Sequence, residues 1–388
     1  VRILFISSGS GSRGGGELYL IFLARALTEQ GCRCALWCPE HPRMDELASA
    51  FAPLGPVLRS RYTNTYDRRL RSLRYLLPGT AGRTAALRLW RGWQPDLLHL
   101  NKQLLEDGLD LLRWAASTGL PRLCTIHITQ GSTELGAVAG RLRDWVARHH
   151  LLRWRGPLVA IGAARGAALR AQLGSGARVE VIDNGVELPD PSRRADLRAQ
   201  MRAELGLAGG ELLAVAVGRM EAQKEPLRFL DWAAQLRARE PRLRCLWIGD
   251  GRLAADWDRA CARRGLAGCV ERLPWQATVE PWLAAADLFL HPAAFEGLPF
   301  ALLEAMAWEL PVVVQPALAA ELDFLDDRTA LIADPAEAWI ADALDPARRA
   351  QLAQAGRAVV AARFSRQRMA ERYRRLYAAI AGCAGERG

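Results

Sequence analysis

Leu212-Leu213-Ala214-Val215-Ala216-Val217-Gly218-Arg219-Met220-Glu221-Ala222-Gln223-Lys224 is apolar for six residues, meets a glycine and turns charged. A short unbroken apolar run that stops at a glycine predicts a strand buried on both faces, with the charged loop at its carboxyl end. Downstream the rhythm continues, with helices predicted over 226–239, 253–264 and 299–308 and strands over 244–248, 270–273, 287–290 and 311–314. From Pro346 the tail reads as helix to the end. Upstream the same alternation appears, with strands predicted over 3–7, 32–38, 97–100, 123–127, 158–161 and 179–182 and helices between them. Strands that alternate with helices pair in parallel and carry helices on both faces. The predicted fold is therefore α/β, two Rossmann-like domains facing across a cleft. Pro189-Asp190-Pro191 reads as the linker, so the domains are placed at 1–190 and 191–365, with a final helix at about 366–388 expected to pack back on the first. Ligands in such sheets bind outside the carboxyl ends of the strands, so the loops there carry the functional reading.

Composition narrows the class. The chain has 388 residues, enough for two domains that each bury a core, and 50% of them are apolar. Mean hydropathy is −0.04, and no apolar run approaches the roughly 18–20 residues of a membrane span. The opening segment lacks the charged start and cleavage site of a signal peptide, so a cytoplasmic chain is expected. Cys32, Cys34 and Cys38 fall on one face of a predicted strand and read as core thiols. The net charge of +10 is local. Residues 59–91 hold nine Arg and one Asp, and residues 141–155 hold five Arg and one Asp, together more than the whole surplus. In the second stretch Trp145 and Trp154 lie among arginines at helical spacing, a composition suited to an anionic membrane surface. A peripheral position at the inner face of the membrane is the expectation, and no nucleic-acid partner is expected, because no recognised module accompanies the charge.

Three loops carry chemistry. The first, Gly9-Ser10-Gly11-Ser12-Arg13-Gly14-Gly15-Gly16, contains a literal G-x-G-x-x-G, with Glu40 after the second predicted strand where a ribose-binding acid would sit. That pattern keeps an NAD(P)-dependent oxidoreductase open as an alternative, although glycines at a helix N-terminus let any phosphate or sugar approach the backbone. The second is Gly218–Lys224. Of 52 basic residues only Lys102 and Lys224 are lysines, so a position that keeps Lys points to a need for a compact, rotatable ammonium. Arg219 is suited to grip a phosphate through two N–H groups, and Lys224 adds a point charge. Lys102 and Glu17 are marked as acceptor or phosphate contacts. The third loop is Phe295-Glu296-Gly297-Leu298-Pro299-Phe300, where a helix N-terminus led by Pro299 would face an anion. One turn further in, Glu304 sits on an otherwise apolar helix, where a carboxylate is costly unless it binds something such as ribose hydroxyls.

Glu296 and Glu304 form an E-x7-E pattern, and EGLPFALLEAMA resembles family four of the retaining GT-B glycosyltransferases. The resemblance runs along essentially the whole chain, through GGGEL, VIDNGVE, VGRMEAQKEP and IGDG. It implies a nucleoside-diphosphate-sugar donor, UDP- or GDP-linked, with no further cofactor and no metal. It also implies transfer with retention to an unidentified acceptor of glycan, lipid or small-molecule type. Residue by residue, it assigns Arg219 and Lys224 to the diphosphate, Glu304 to the ribose and Glu296 to the transferred sugar. Gly15, Gly16, Gly218, Gly297, Leu298, Pro299 and Phe300 are assigned to donor binding. His127, in TIHITQ, falls where family members place a histidine near that sugar. Catalytic roles are thus expected for Glu296, His127, Arg219 and Lys224. One departure stands out: after PVVV the family has a Gly-Gly pair before a Glu, whereas this chain has Gln315-Pro316-Ala317-Leu318-Ala319-Ala320-Glu321. Cβ atoms there would crowd a close backbone approach. Asp256-Trp257-Asp258 spells the metal-binding D-x-D of the other glycosyltransferase fold, but it lies in a helical pattern where i and i+2 do not share a face. A non-catalytic sugar-nucleotide or membrane-binding protein is the remaining rival.

Overall fold

A computed structural model describes residues 1–9, 11, 14–60, 92–335 and 337–385. The chain divides into two compact units, Val1–Gly185 with Arg366–Gly388, and Val186–Ser365. The first unit ends five residues before the expected boundary at 190, and Val186 already bridges Ser365.

In the first unit, strands β1 (Arg2–Ser7), β2 (Arg33–Pro39), β3 (Val57–Ser60), β4 (Leu97–Lys102), β5 (Arg122–Ile126), β6 (Leu158–Ala160) and β7 (Val179–Val181) form one parallel sheet in the order β3-β2-β1-β4-β5-β6-β7. Central β1 pairs β2 on one side and β4 on the other, with Ile6 opposite Trp37 and Ser7 opposite Asn101. Because the chain leaves β1 and β4 in opposite directions across the sheet, a crevice opens between their carboxyl ends. Leu4, Ile6, Trp37, Leu100 and Ile126 are among the core residues around these strands. Helix α1 (Gly15–Glu29) follows β1 directly.

The second unit repeats the plan. Strands β8 (Leu213–Val217), β9 (Arg244–Ile248), β10 (Val270–Leu273), β11 (Leu288–His291), β12 (Val312–Val314) and β13 (Leu331–Ile332) run parallel in the order β10-β9-β8-β11-β12-β13. The crevice here lies between β8 and β11. Trp247 packs edge-on to Phe229 at 5.4 Å, and the core extends through Trp232, Trp257 and Trp339.

Short edge strands β3 and β13, four and two residues long, were not anticipated, since neither carries an alternation long enough to read. The tail is two helices, Pro346–Arg363 and Arg366–Gly385, broken at Phe364 and Ser365. The second returns to the first unit. There Tyr373 Oη lies 2.9 Å from Thr125 Oγ1, Tyr377 Oη lies 2.7 Å from His99 Nδ1, and Arg366 pairs with Glu29 at 3.0 Å. No helix among the described residues is long and apolar enough to cross a membrane. Seven cysteines among those residues are free of disulfides. Burial pushes the thiols of Cys34 and Cys124 up to about 12.

Candidate active site

The crevice of the second unit gathers most of the marked residues. Gly218 follows β8, and its carbonyl accepts from the Trp247 indole at 2.9 Å. The Gly249-Asp250-Gly251 turn after β9 presses on this loop. A Cβ at Gly249, whose φ is +134°, would stand 2.3 Å from the Gly218 carbonyl oxygen, and one at Gly251 would stand 2.4 Å from that of Met220. Met220 N–H donates to the Asp250 carbonyl at 2.9 Å. Glycines are thus required where two backbones touch, and they fix the path of the Arg219 loop. The loop ends in a single tight turn at Ala222–Lys224 and then in Glu225, whose φ of +44° is unfavourable for a residue with a side chain. Such strain collects where a loop is held for function.

Across the crevice, β11 ends at His291 and the chain runs through Glu296 to Pro299, the N-cap of the helix Phe300–Ala307. The two loops are tied together: Ala294 N–H donates to the Gln223 carbonyl, and the Gln223 amide to the Phe295 carbonyl, both at 3.1 Å. This brings Lys224 onto Glu296, a direct ion pair between residues 72 positions apart. Glu296 is 9% exposed. Arg219 is exposed and makes no ion pair among the described residues, while its neighbour Glu221 pairs with Arg252 at 2.8 Å. Glu304, in the second turn of the helix, is closely surrounded although part of its surface is open. Desolvation, with the nearby Glu280 charge second, raises its carboxyl to about 8. Leu298, Pro299 and Phe300 are buried and Gly297 half-buried. The departing segment forms a short helix, Pro316–Glu321, with Pro at its first position, and the Gln315 amide donates to the Pro292 carbonyl. A sequence of good helix formers behind proline takes the place of a glycine loop.

In the first unit the glycine loop is wired differently. Glu17, in the first turn of α1, is 5% exposed, and its carboxylate lies 2.3 Å from where a Cβ on either Gly9 or Gly14 would be. It accepts from the Gln103 amide at 3.1 Å. That amide in turn fills the space a Cβ on Gly16 would need. The positive end of α1 is therefore already met by the protein's own carboxylate. Nothing supports the oxidoreductase reading: in a dinucleotide site the pyrophosphate lies against this helix end, and here the Glu17 carboxylate stands against Gly9 and Gly14. Lys102 is also used internally. It is fully buried, its ammonium donates to the Asp107 carbonyl and lies 3.6 Å from the Asp107 carboxylate, and it has no surface to offer a phosphate or acceptor. The expectation for Lys102 and Glu17 is corrected accordingly. Asp107, not marked in the sequence, organises this loop by accepting from Ser8 Oγ, Gln103 N–H and Leu104 N–H.

His127, one residue past β5, is 5% exposed and stacks edge-on to Tyr19 at 4.9 Å. Its Nε2 lies 2.6 Å from Asn101 Oδ1, while the Asn101 amide donates to the Gly16 carbonyl at 3.0 Å. The amide orientation makes Nε2 the donor and leaves Nδ1 as an acceptor. Burial lowers this imidazole to about 3, so it is neutral at any working pH. Asn101 carries no local signal beyond its place at a strand end.

Asp256 and Asp258 point to different partners, Arg259 and Arg272. Among the described residues no three His, Cys, Asp or Glu side chains gather as metal ligands would.

Residues 13–189 match the family described as Glycosyltransferase Family 4, and residues 211–346 match Glycosyl transferases group 1. The putative glycosyltransferase EpsF of Bacillus subtilis is 28% identical over 54% of this chain and 55% of its own length. A UDP-Gal:alpha-D-GlcNAc-diphosphoundecaprenol alpha-1,3-galactosyltransferase of Escherichia coli is 32% identical over 35% of this chain and 36% of its own. The matched region thus spans about half of the first of these relatives and about a third of the second. The crystal structure of Anabaena Alr3699/HepE in complex with UDP and glucose superposes with a TM-score of 0.74, at 20% identity over 97% of this chain and 99% of that one, a likeness of fold.

Proposed function

Because the chain belongs to the family-four glycosyltransferases and has their GT-B fold, we propose that it transfers a sugar from a nucleoside-diphosphate donor to an acceptor hydroxyl. One observation carries the proposal: at the crevice of the second sheet, Lys224 meets Glu296 while Arg219, on the same loop as Lys224, stands exposed. The barrier to glycosyl transfer is charge growing on the leaving diphosphate. Arg219 and Lys224 stabilise that charge, helped by the helix that begins at Phe300. Gly218, Gly297, Leu298 and Pro299 shape the floor, Glu304 accepts from the ribose hydroxyls, and Glu296 meets the transferred sugar. In the first unit, neutral His127 is proposed to offer Nδ1 to a sugar hydroxyl, whereas the donor approach expected of Gly15 and Gly16 is not proposed, because Glu17 and Gln103 occupy that loop. With two protein cations for the diphosphate, the reaction is proposed to need no metal. Retention at the anomeric carbon is proposed from the family resemblance. UDP is the proposed nucleotide, as it is the one bound in the Anabaena structure.

A panel of UDP, GDP, ADP and their glucose conjugates, read by thermal shift and by donor hydrolysis with and without EDTA, tests this. Stabilisation by UDP and hydrolysis indifferent to EDTA are expected. A chain that no nucleotide stabilises, or hydrolysis abolished by EDTA and restored by Mn²⁺, sinks the corresponding part.

A second observation favours a lipid surface as the place of action. The helix Gly140–Leu152 and the loop before it expose Leu135, Val138, Leu142 and Trp145, with Arg141, Arg148, Arg153 and Arg155 exposed around them. Trp145 is 64% exposed, whereas Trp154 is buried and Arg143 is paired with Glu106, so the face is narrower than the sequence suggested. The rest of the 59–91 basic stretch beyond Arg59 lies outside the described residues, and Arg59 itself pairs with Asp45. The Escherichia coli relative's lipid-linked substrate fits such a surface, and the free thiols fit the cytoplasmic side. Flotation with vesicles containing phosphatidylglycerol should fade with salt and fall in Trp145→Ser. Equal flotation with neutral vesicles would end this reading.

A further inference from the structure

His99 and Asn101 on β4, Thr125 on β5 and His127 just past it lie on one face of the first sheet. Asn101 pairs with Thr125, and side chains two apart on a strand share a face. Two helices reach that face: α1 brings Tyr19 to it, and the helix Arg366–Gly385 brings Tyr373 and Tyr377. Tyr19, His99, Thr125 and Tyr373 are wholly buried and Tyr377 nearly so. Thr125 Oγ1 is the hub. It meets His99 Nε2 at 2.8 Å, Tyr373 Oη at 2.9 Å and Tyr19 Oη at 3.1 Å. A hydroxyl has one proton and two lone pairs, so three partners fill it. His99 Nδ1 meets Tyr377 Oη at 2.7 Å, and burial holds that imidazole neutral.

Adhesion alone does not require these polar groups. Met369, Ala370, Leu376 and Ile380 already seat the last helix by burying apolar surface. A sealed set of hydrogen bonds adds little stability over apolar groups of the same shape, but each bond fixes a direction. The direction fixed here is that of the Tyr19 ring, whose hydroxyl is anchored at Thr125 and His99. The other contact of that ring is His127, met edge-on at 4.9 Å with the two planes 75° apart. Asn101 holds His127 at Nε2 and sets its tautomer, but a single hydrogen bond leaves the tilt of the imidazole about that bond open. The Tyr19 ring closes it.

We propose that Tyr19 is the positioning residue of His127 and that its anchor lies in the last helix, through Thr125 and Tyr373. The helix Arg366–Gly385 thereby takes part in glycosyl transfer without touching the substrate. The effect on turnover rests on the reading of His127 as a group that meets the sugar; the alignment of the ring does not.

The test uses the full chain labelled with ¹⁵N-histidine, the His127 signals being identified by their loss in His127→Gln. Tyr373→Phe removes one hydroxyl and keeps the ring. It should move the Nε2–H proton of His127 upfield as the bond to Asn101 loses alignment, and Tyr19→Phe should move it further the same way. Arg366→Gln removes the ion pair that ties the same helix to Glu29 and leaves every hydroxyl in place, so the signal should stay where it was. An unmoved signal in both Phe variants overturns the proposal. So does an equal shift in Arg366→Gln, which would make the helix a strap alone. In hydrolysis of UDP-glucose, Tyr373→Phe should lower kcat roughly 3- to 10-fold with KM unchanged, as a misaimed group does. In a His127→Ala background the same substitution should cost nothing more, because it acts only through that ring. Additive losses overturn the positioning role. A wild-type rate in His127→Ala, with the signal still moved by Tyr373→Phe, sinks the reading of His127 and leaves the alignment standing. If UDP-glucose is not hydrolysed at all, the donor reading fails and the His127 signals decide the alignment.

Discussion

The two glycine loops occupy equivalent places in two sheets of the same strand order, yet they place their charged side chains differently. After β1, the helix N-terminus closes on its own carboxylate, since Glu17 lies under Gly9 and Gly14 and is held by Gln103. After β8, the loop presents Arg219 to solvent and Lys224 to a carboxylate from the facing loop. Topology creates a crevice in both. The second loop keeps a cation, Arg219, at the surface where an outside anion can meet it, whereas the first meets its helix end with Glu17. A glycine pattern read alone treats the two as alike, and the more literal fingerprint lies in the unit whose loop is already filled.

The largest expected effect tests the cationic loop. Lys224→Ala should lower turnover roughly 10²- to 10³-fold, about 3–4 kcal/mol of lost charge stabilisation, and Arg219→Ala should follow it. Lys224→Arg should also be impaired, because a planar fork does not replace a compact ammonium in the tight turn at Ala222–Lys224. Steady-state kinetics with the donor decide, and a wild-type rate in Lys224→Ala would erase the contrast between the loops.

Glu304 sharpens the comparison from the nucleoside side. Glu304→Gln should weaken UDP binding roughly tenfold above about pH 8, where the carboxylate is ionised and accepts from the ribose hydroxyls, as titration calorimetry would read. The same variant tests its environment. The folded-state carboxyl is raised from 4.5 to about 8, so below pH 4.5 it is protonated whether the chain is folded or not and the mutation changes little. As pH rises through that window the unfolded chain ionises first, and the native state loses stability that the glutamine keeps. The Tm advantage of Glu304→Gln should therefore be nil near pH 4 and grow until about pH 8. A gap that stays flat with pH would mean the carboxyl is ionised at its ordinary value.

The smallest effect belongs to the first loop. Glu17→Gln should cost about 1 kcal/mol of stability, the worth of a carboxylate at a helix N-terminus, and leave UDP affinity where it was. Denaturant melts and binding isotherms check the two halves. Loss of affinity as large as in Lys224→Ala would show that both loops hold the nucleotide.

Both sheets, Gly218–Lys224, and the pair Glu296 and Glu304 were legible in the sequence, because buried parallel strands, glycine turns and helix starts are written in neighbouring residues. So was the unusual use of lysine, although only one of the two lysines lies at the crevice of the second sheet. Lys102 and Lys224 both follow strand ends, and nothing local separates a lysine sealed against Asp107 from one that meets Glu296 across 72 positions. The tertiary structure alone decided that Glu17 fills the first loop and that Asn101 fixes the tautomer of His127. It also decided that Tyr373 and Tyr377 of the last helix reach Thr125 and His99. The physical reason is one of range. Periodicity and turn chemistry act over a few residues, while burial, hydrogen-bond partner and tautomer are set by side chains that meet only once the sheets have formed.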